Sequence, residues 1–182
     1  MKKALIPLAP GFEEVEALTV VDILRRAGAD VTLAGTISNA ITGRNGIKVL
    51  ADEPLEAVTG KTFDMVVIPG GAQGTENLKR DVNVKKAVER IVASNGFITA
   101  ICAGPTVLAG IGAIKGRQLT CHPSAREELC AEKLIDERVV IDGKLITSQS
   151  PGSAMEFAFA LVEALFGKAK VKEVNKGVMA LL

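Results

Sequence analysis

The stretch FDMVVIPGG, residues 63 to 71, constrains the fold most: Met65 to Ile68 are apolar without a break, and a proline and two glycines stop the run. A strand with one covered face alternates apolar and polar residues, so an unbroken apolar strand has both faces covered. FITAI (97–101) and KALIPLA (3–9) repeat the pattern, and DVTLAGT (30–36) reads as a further strand. Between them the period changes. EEVEALTVVDILRRAG sets Val15, Leu18, Val21, Ile23 and Leu24 near helical spacing and ends on Gly28, while VNVKKAVERIVASNG (82–96) is amphipathic and stops at Asn95-Gly96. Strands of this kind alternating with helices make an α/β protein, a mostly parallel sheet with helices on both faces. Such sheets bind ligands outside the carboxyl ends of their strands, where the strand order reverses. The loops after VVIPGG and FITAI are therefore the first places to look for a site.

The remaining elements follow from the same rules. GIKVLAD adds a small strand, RQLTC a strand, and SAREELCAEKL a helix begun by Ser124 as cap. RVVIDGKLITSQ reads as a hairpin through Asp142-Gly143, and SAMEFAFALVEALFG as a long helix ending on Gly167. KAKVKEVNKGVMALL closes the chain without an assignment. No linker or repeat divides the 182 residues, so one domain over 1–182 is expected.

Composition narrows the partners. The net charge is +1 with acids and bases interspersed, and Trp and Tyr are absent, so neither nucleic acid nor an anionic membrane is expected. No apolar run is long enough to span a membrane, and the N-terminal run, interrupted by Pro7 and Pro10, reads as a first strand rather than a signal peptide. Three cysteines without CxxC spacing argue for a reducing compartment, and a cytoplasmic location is expected. Adjacent Cys121-His122 cannot supply a tetrahedral metal set, and the glycine-rich stretches match neither a phosphate loop nor a dinucleotide fingerprint. No cofactor and no metal are expected.

One cysteine stands apart. Ala100-Ile101-Cys102-Ala103-Gly104 has the small–x–nucleophile–x–Gly pattern of a nucleophile elbow, and Pro105 suits the first turn of the helix that follows. A sharp strand-to-helix turn exposes the side chain at the sheet edge at some backbone strain. A helix N-terminus favours thiolate over thiol, so the Cys102 pKa is expected below the free value of about 8.5. Cys121 and Cys130 are expected to be packing residues. The paired glycines after VVIP free N–H groups, so the amides of Gly71 and Ala103 could form an oxyanion hole. His122, the only histidine, ends a strand after the elbow helix and could reach the same rim. Of the acids in GFEEVE, two are expected in solvent and one turned inward with a raised pKa, poised to exchange a proton with the thiol. Periodicity does not choose among Glu13, Glu14 and Glu16.

Taken together, AICAGP, VVIPGG, PGFEEVEA, LRRAG, TCHP and LITSQSPGSAMEFAFALVEALFG strongly resemble the ThiJ/PfpI superfamily, in the branch of the parkinsonism-associated protein deglycase and its bacterial relatives. The resemblance implies a flavodoxin-like three-layer sandwich akin to class I glutamine amidotransferases, usually a homodimer, without metal or organic cofactor. It implies that Cys102 is the reactive cysteine, Glu16 its buried protonated partner, His122 the nearby histidine, Gly71 and Ala103 the backbone donors, and Arg26 a residue near the dimer contact beside the site. The chain departs from the peptidase branch, where histidine directly follows the cysteine, because Ala103 stands there. RNG (44–46) lies where some relatives place an arginine near the cysteine. The expected activity is a cofactor-independent glyoxalase or protein deglycase acting on α-oxoaldehydes or their protein adducts. The alternative is a redox-responsive stress protein or chaperone that uses oxidation of Cys102, with a cysteine peptidase third.

Overall fold

The computed structural model describes residues 1–182. In chain order the elements are β1 (Lys3–Leu8), α1 (Glu14–Arg26), β2 (Asp30–Gly35), β3 (Ala40–Thr42), β4 (Lys48–Leu50), β5 (Glu53–Pro54), α2 (Leu55–Val58), β6 (Met65–Ile68), α3 (Ala72–Arg80), α4 (Val82–Ala93), β7 (Phe97–Ile101) and α5 (Pro105–Ile111). Then follow β8 (Gln118–Leu119), β9 (Lys133–Leu134), β10 (Val139–Asp142), β11 (Leu145–Ser148), α6 (Ala154–Phe166) and α7 (Lys168–Val178). Seven strands form the central sheet in the order β10-β11-β7-β6-β1-β2-β5. All its pairings are parallel except that of β10 with β11, the hairpin anticipated at Asp142-Gly143.

The unbroken apolar strands do what their composition requires. Ile6 and Leu8 of β1 and Val67 of β6 face a core shared with Val20 and Leu24 of α1 and Phe157 and Leu161 of α6. The alternate residues Leu5, Val66 and Ile68 face a second core with Val88 and Ile91 of α4 and Val107 and Leu108 of α5. Neighbouring residues of one strand thus enter opposite cores, which gives the three-layer α/β sandwich. The chain moves outward from β1 to β2 and β5, then returns to build β6, β7 and β11 on the other side. The strand order therefore reverses between β1 and β6, and the crevice beyond their carboxyl ends is the expected ligand position.

Several local expectations give way. The segment SAREELCAEKL forms no α-helix; a 3₁₀ turn at Pro123–Ala125 leads into further turns. Its backbone bonds run i to i+3 (Leu129 to Arg126, Cys130 to Glu127, Glu132 to Leu129) because the chain must return quickly to pair Lys133 with Gln118. Cys130 is consequently exposed rather than packed. The strand read in RQLTC shortens to β8, which pairs with β9 in a separate ribbon. Val15, taken as part of an apolar stripe, is half exposed. The helices α2, α3 and α7 carry no assignment from the sequence.

Candidate active site

Cys102 lies one residue beyond β7 with φ 63°, in the left-handed region that non-glycine residues rarely occupy. Such a conformation costs about 1–3 kcal/mol and persists only when its surroundings impose it. Here both backbone groups are held: Cys102 N–H donates to Ser148 O of β11 at 2.9 Å, and Cys102 O accepts His122 N–H at 2.9 Å. The strand on one side and the segment after β8 on the other fix the turn. Pro105 opens α5, as its missing N–H allows. The N–H groups of Ala103 and Gly71 favour the anionic form of the sulfur.

Glu16 enters from the first turn of α1 and is fully buried. Its Oε2 accepts Gly70 N–H at 2.7 Å, its carboxyl faces the Cys102 thiol across Gly70, and Oε1 is buried without a hydrogen-bond partner. Gly70 is required by close approach. A Cβ there would lie 2.5 Å from Glu16 Oε2, 2.7 Å from Cys102 Cβ and 3.1 Å from Sγ. The glycine is the gap through which acid and thiol meet.

Burial raises the Glu16 pKa to about 7; the bonds from Cys102 and Gly70 oppose the rise, the Glu13 charge adds to it and the Arg44 charge offsets it. The Cys102 thiol is pushed up to about 12 by burial, then by the charge and hydrogen bond of Glu16, against the donors at Ala103 and Gly71. This reverses the direction expected from the sequence. Desolvation and a facing carboxylate outweigh the Ala103 amide ahead of α5 and the Gly71 amide at the cap of α3. Each anion opposes the other, so the two groups titrate as a pair that loses one proton and retains the second. A protonated Glu16 removes the like charge that adds to the thiol's rise; burial, the larger cause, remains, with the amides of Gly71 and Ala103 opposing it. Thiolate formation is thus tied to the proton on Glu16.

The acids of GFEEVE differ from expectation: Glu13, Glu14 and Glu16 are all buried. The cause is the β3–β4 hairpin, which folds over the start of α1. Asn45 N–H donates to Glu14 Oε1 at 2.8 Å and Asn45 Nδ2 to Oε2 at 2.9 Å, while Arg44 Nη1 lies 3.4 Å from Glu13 Oε2. The sequence signal was the polar pair Arg44-Asn45 between two glycines, legible as a turn but not as a turn over the site.

His122 stands at the rim, joined to Cys102 through its backbone. Its ring bonds Ser124, with Nδ1 2.8 Å from Oγ and accepting the Ser124 N–H at 3.2 Å. Ser124, expected as a helix cap, instead holds this imidazole. Arg26 is in the last turn of α1, paired with Asp22 at 2.7 Å. Ten residues of helix separate it from Glu16, about 15 Å at 1.5 Å per residue, so it does not join the constellation within one chain. No group of three or more His, Cys, Asp or Glu side chains is arranged to hold a metal, and no helix is long and apolar enough to cross a membrane.

Sheet topology, elbow and switch-point crevice define the chain as an α/β sandwich of the DJ-1/PfpI type, with a cysteine and a buried glutamate at its site. The signature of the DJ-1/PfpI family matches residues 2–164, and the chain belongs to that family. Protein dj-1beta of Drosophila melanogaster is 42% identical over 181 residues, covering 98% of this chain and 97% of that protein. The glutathione-independent glyoxalase DJR-1.2 of Caenorhabditis elegans is 38% identical over 178 residues, 96% of this chain and 95% of that protein. Against Protein DJ-1 homolog B of Arabidopsis thaliana, 41% identical over 177 residues and 96% of this chain, the chain spans 40% of the relative's length. The crystal structure of Drosophila DJ-1beta superposes with a TM-score of 0.97, covering 100% of this chain and 99% of that one at 42% identity. Oxidized Toxoplasma gondii DJ-1 gives 0.95 at 32% identity, with 100% of both chains covered.

Proposed function

We propose that the protein is a cofactor-independent glyoxalase that converts small α-oxoaldehydes, or the adducts they form on protein side chains, into hydroxy acids. One observation carries the reading: a strained Cys102 thiol facing a buried carboxyl that titrates near neutrality. Such a pair supplies a nucleophile and a proton carrier in one water-poor contact. Membership of a family that includes a protein named as a glutathione-independent glyoxalase supports it.

The steps balance without a cofactor. The Cys102 sulfur forms a bond to the aldehyde carbon, and the thiol proton passes through Glu16 to the aldehyde oxygen, giving a hemithioacetal. Glu16 takes the hydrogen from that carbon and returns a proton to the neighbouring one through an enediol, with His122 as a second carrier at the rim. The aldehyde carbon is oxidised and the ketone carbon reduced by the same amount, leaving a thioester. Water cleaves the C–S bond, releases the hydroxy acid and restores the thiol. Once sulfur carries carbon it no longer needs both amides, and Gly71 and Ala103 then face the substrate oxyanion.

The test is methylglyoxal loss and lactate formation by wild type, Cys102→Ser and Glu16→Gln with nothing added. Wild-type turnover abolished by Cys102→Ser and strongly reduced by Glu16→Gln is the expected result; full activity in Cys102→Ser would overturn the reading.

A second reading, oxidation of Cys102 in a stress-responsive or chaperone role, is favoured by the same donors, since Glu16 and the two amides would bond sulfinate oxygens as well as they bond sulfur. The solved oxidized relative from Toxoplasma gondii keeps it in view. Peroxide followed by peptide mass analysis decides, and an unmodified Cys102 under mild oxidant removes it. A peptidase dyad has no support: Ala103 follows the cysteine and the imidazole bonds Ser124. A homodimer is part of the proposal, because half-exposed Val15 and Ile47 and exposed Leu50 lie on the α1 start and the β3–β4 hairpin. Sedimentation at several concentrations tests it.

A further inference from the structure

The hairpin over the site is held in an unusual way. Its strands β3 and β4 have three residues each and pair only with one another, outside the seven-stranded sheet. An isolated two-stranded hairpin is marginal in water and needs tethers. Two backbone bonds serve, Gly11 N–H to Thr42 O at the end of β3 and Arg44 N–H to Phe12 O in the turn itself, both at 2.9 Å. In the turn, side chains from the start of α1 add to them: Glu13 lies 3.5 Å from Asn45 Nδ2 and 3.4 Å from Arg44 Nη1, and Glu14 makes the most bonds. The buried Glu14 carboxylate accepts Asn45 N–H at 2.8 Å, Asn45 Nδ2 at 2.9 Å and Ile47 N–H at 3.3 Å. A Cβ at position 43 would run into that carboxylate, so Gly43 is the room the clamp needs. Burial would push Glu14 up, yet these donors and its own amide hold it below the usual carboxylate range.

The residue so positioned is Arg44, between Gly43 and the clamped Asn45. Its guanidinium is half exposed, 3.4 Å from Glu13 Oε2. We propose that Glu14 is a positioning residue: it orders the hairpin turn so that the Arg44 guanidinium stays beside Glu13, and through Arg44 it acts on the Cys102–Glu16 pair. The groups facing that pair are Glu13 from α1, Arg44 from the hairpin and His122 from the segment after β8, while the β6 and β7 ends present only the amides of Gly70, Gly71 and Ala103. Arg44 is the cation among them; its charge lowers the Glu16 pKa, and a cation there favours negative charge on either member of the pair.

This role rests on the Cys102–Glu16 pair and not on the carbonyl substrate, so the test reads thiol chemistry and its outcome is separable from that of the glyoxalase assay. Alkylation of Cys102 by iodoacetamide is followed peptide by peptide across pH in wild type, Glu14→Ala, Glu14→Gln, Arg44→Met and the Glu14→Ala/Arg44→Met double variant, with thermal melts beside them. Glu14→Ala and Arg44→Met should each move the midpoint to higher pH by about half a unit, a roughly threefold slower reaction below it, and the double should add nothing. Glu14→Gln should restore the wild-type midpoint, because its amide oxygen accepts the two backbone N–H groups while Asn45 turns its own amide to match. A Glu14 acting directly by its charge would give the opposite sign, a lower midpoint, in both Ala and Gln variants. That sign, an unmoved midpoint in Glu14→Ala, or additive shifts in the double overturns the proposal. If Glu14→Ala does not fold, Asn45→Ala breaks the clamp from the other side: a smaller shift in the same direction supports the proposal and no shift overturns it.

Discussion

Cys102 and Cys121 are both buried free thiols beyond the ends of strands, and their segments touch through the bond from His122 N–H to Cys102 O. Burial pushes both upward, and for Cys121 only the charge of Arg126 opposes it. Cys102 differs in what surrounds the sulfur: two amides that favour its anion, a carboxyl that shares its proton, and a backbone held at φ 63°. The comparison teaches that reactivity here is not a property of a buried or exposed cysteine. It comes from donors and an acid assembled around one sulfur by three loops at a switch point.

The largest effect should separate the two thiols outright. Cys102→Ser should lower turnover about a thousandfold or more, as loss of a nucleophile does, whereas Cys121→Ala should leave it within about twofold. Comparable losses in steady-state assays would erase the distinction.

Next in size, Gly70→Ala should force Glu16 and Cys102 apart. A new methyl against both groups costs about 1–3 kcal/mol of stability and at least about tenfold in activity. A melt lowered without loss of rate would mean that their contact is not needed.

Smaller, but specific in sign, is the pH dependence of stability. Glu16 has a folded pKa of about 7 against an ordinary 4.5, so its contribution is fully present below the ordinary value and is lost as pH rises through the folded one. The decline over that window amounts to roughly 3 kcal/mol at 1.36 kcal/mol per unit. Urea unfolding of wild type minus Glu16→Gln isolates it from Glu14, Asp64 and Asp142, whose lowered values act in the opposite direction. A flat difference would show Glu16 ionised throughout. The smallest effect concerns the control thiol: Cys121 should resist alkylation until the protein unfolds, while exposed Cys130 reacts in the native state.

Much of the architecture was legible because each feature had a local cause. Unbroken apolar strands required two covered faces, and Leu5 and Ile6 do enter opposite cores. The elbow was readable from the small residues around Cys102, and its strained turn is found as anticipated. What sequence could not give were quantities set by distant neighbours. No spacing reveals that Gly70 separates Glu16 from Cys102, or that a hairpin 30 residues along buries Glu13 and Glu14 by pairing Arg44 and Asn45 with them. The thiol direction failed for the same reason, since α5 was read without the acid that faces it. At SAREELCAEKL, helix propensity lost to the need to bring β9 beside β8.

The central claim is that the acid beside Cys102 keeps its proton to near-neutral pH. Carbon-13 resonances of carboxyl-labelled glutamates, followed across pH in wild type and Glu16→Gln, test it most directly. The account predicts one resonance titrating at about 7 that disappears in the variant. Glutamates that all titrate near the ordinary 4.5 or below would contradict it.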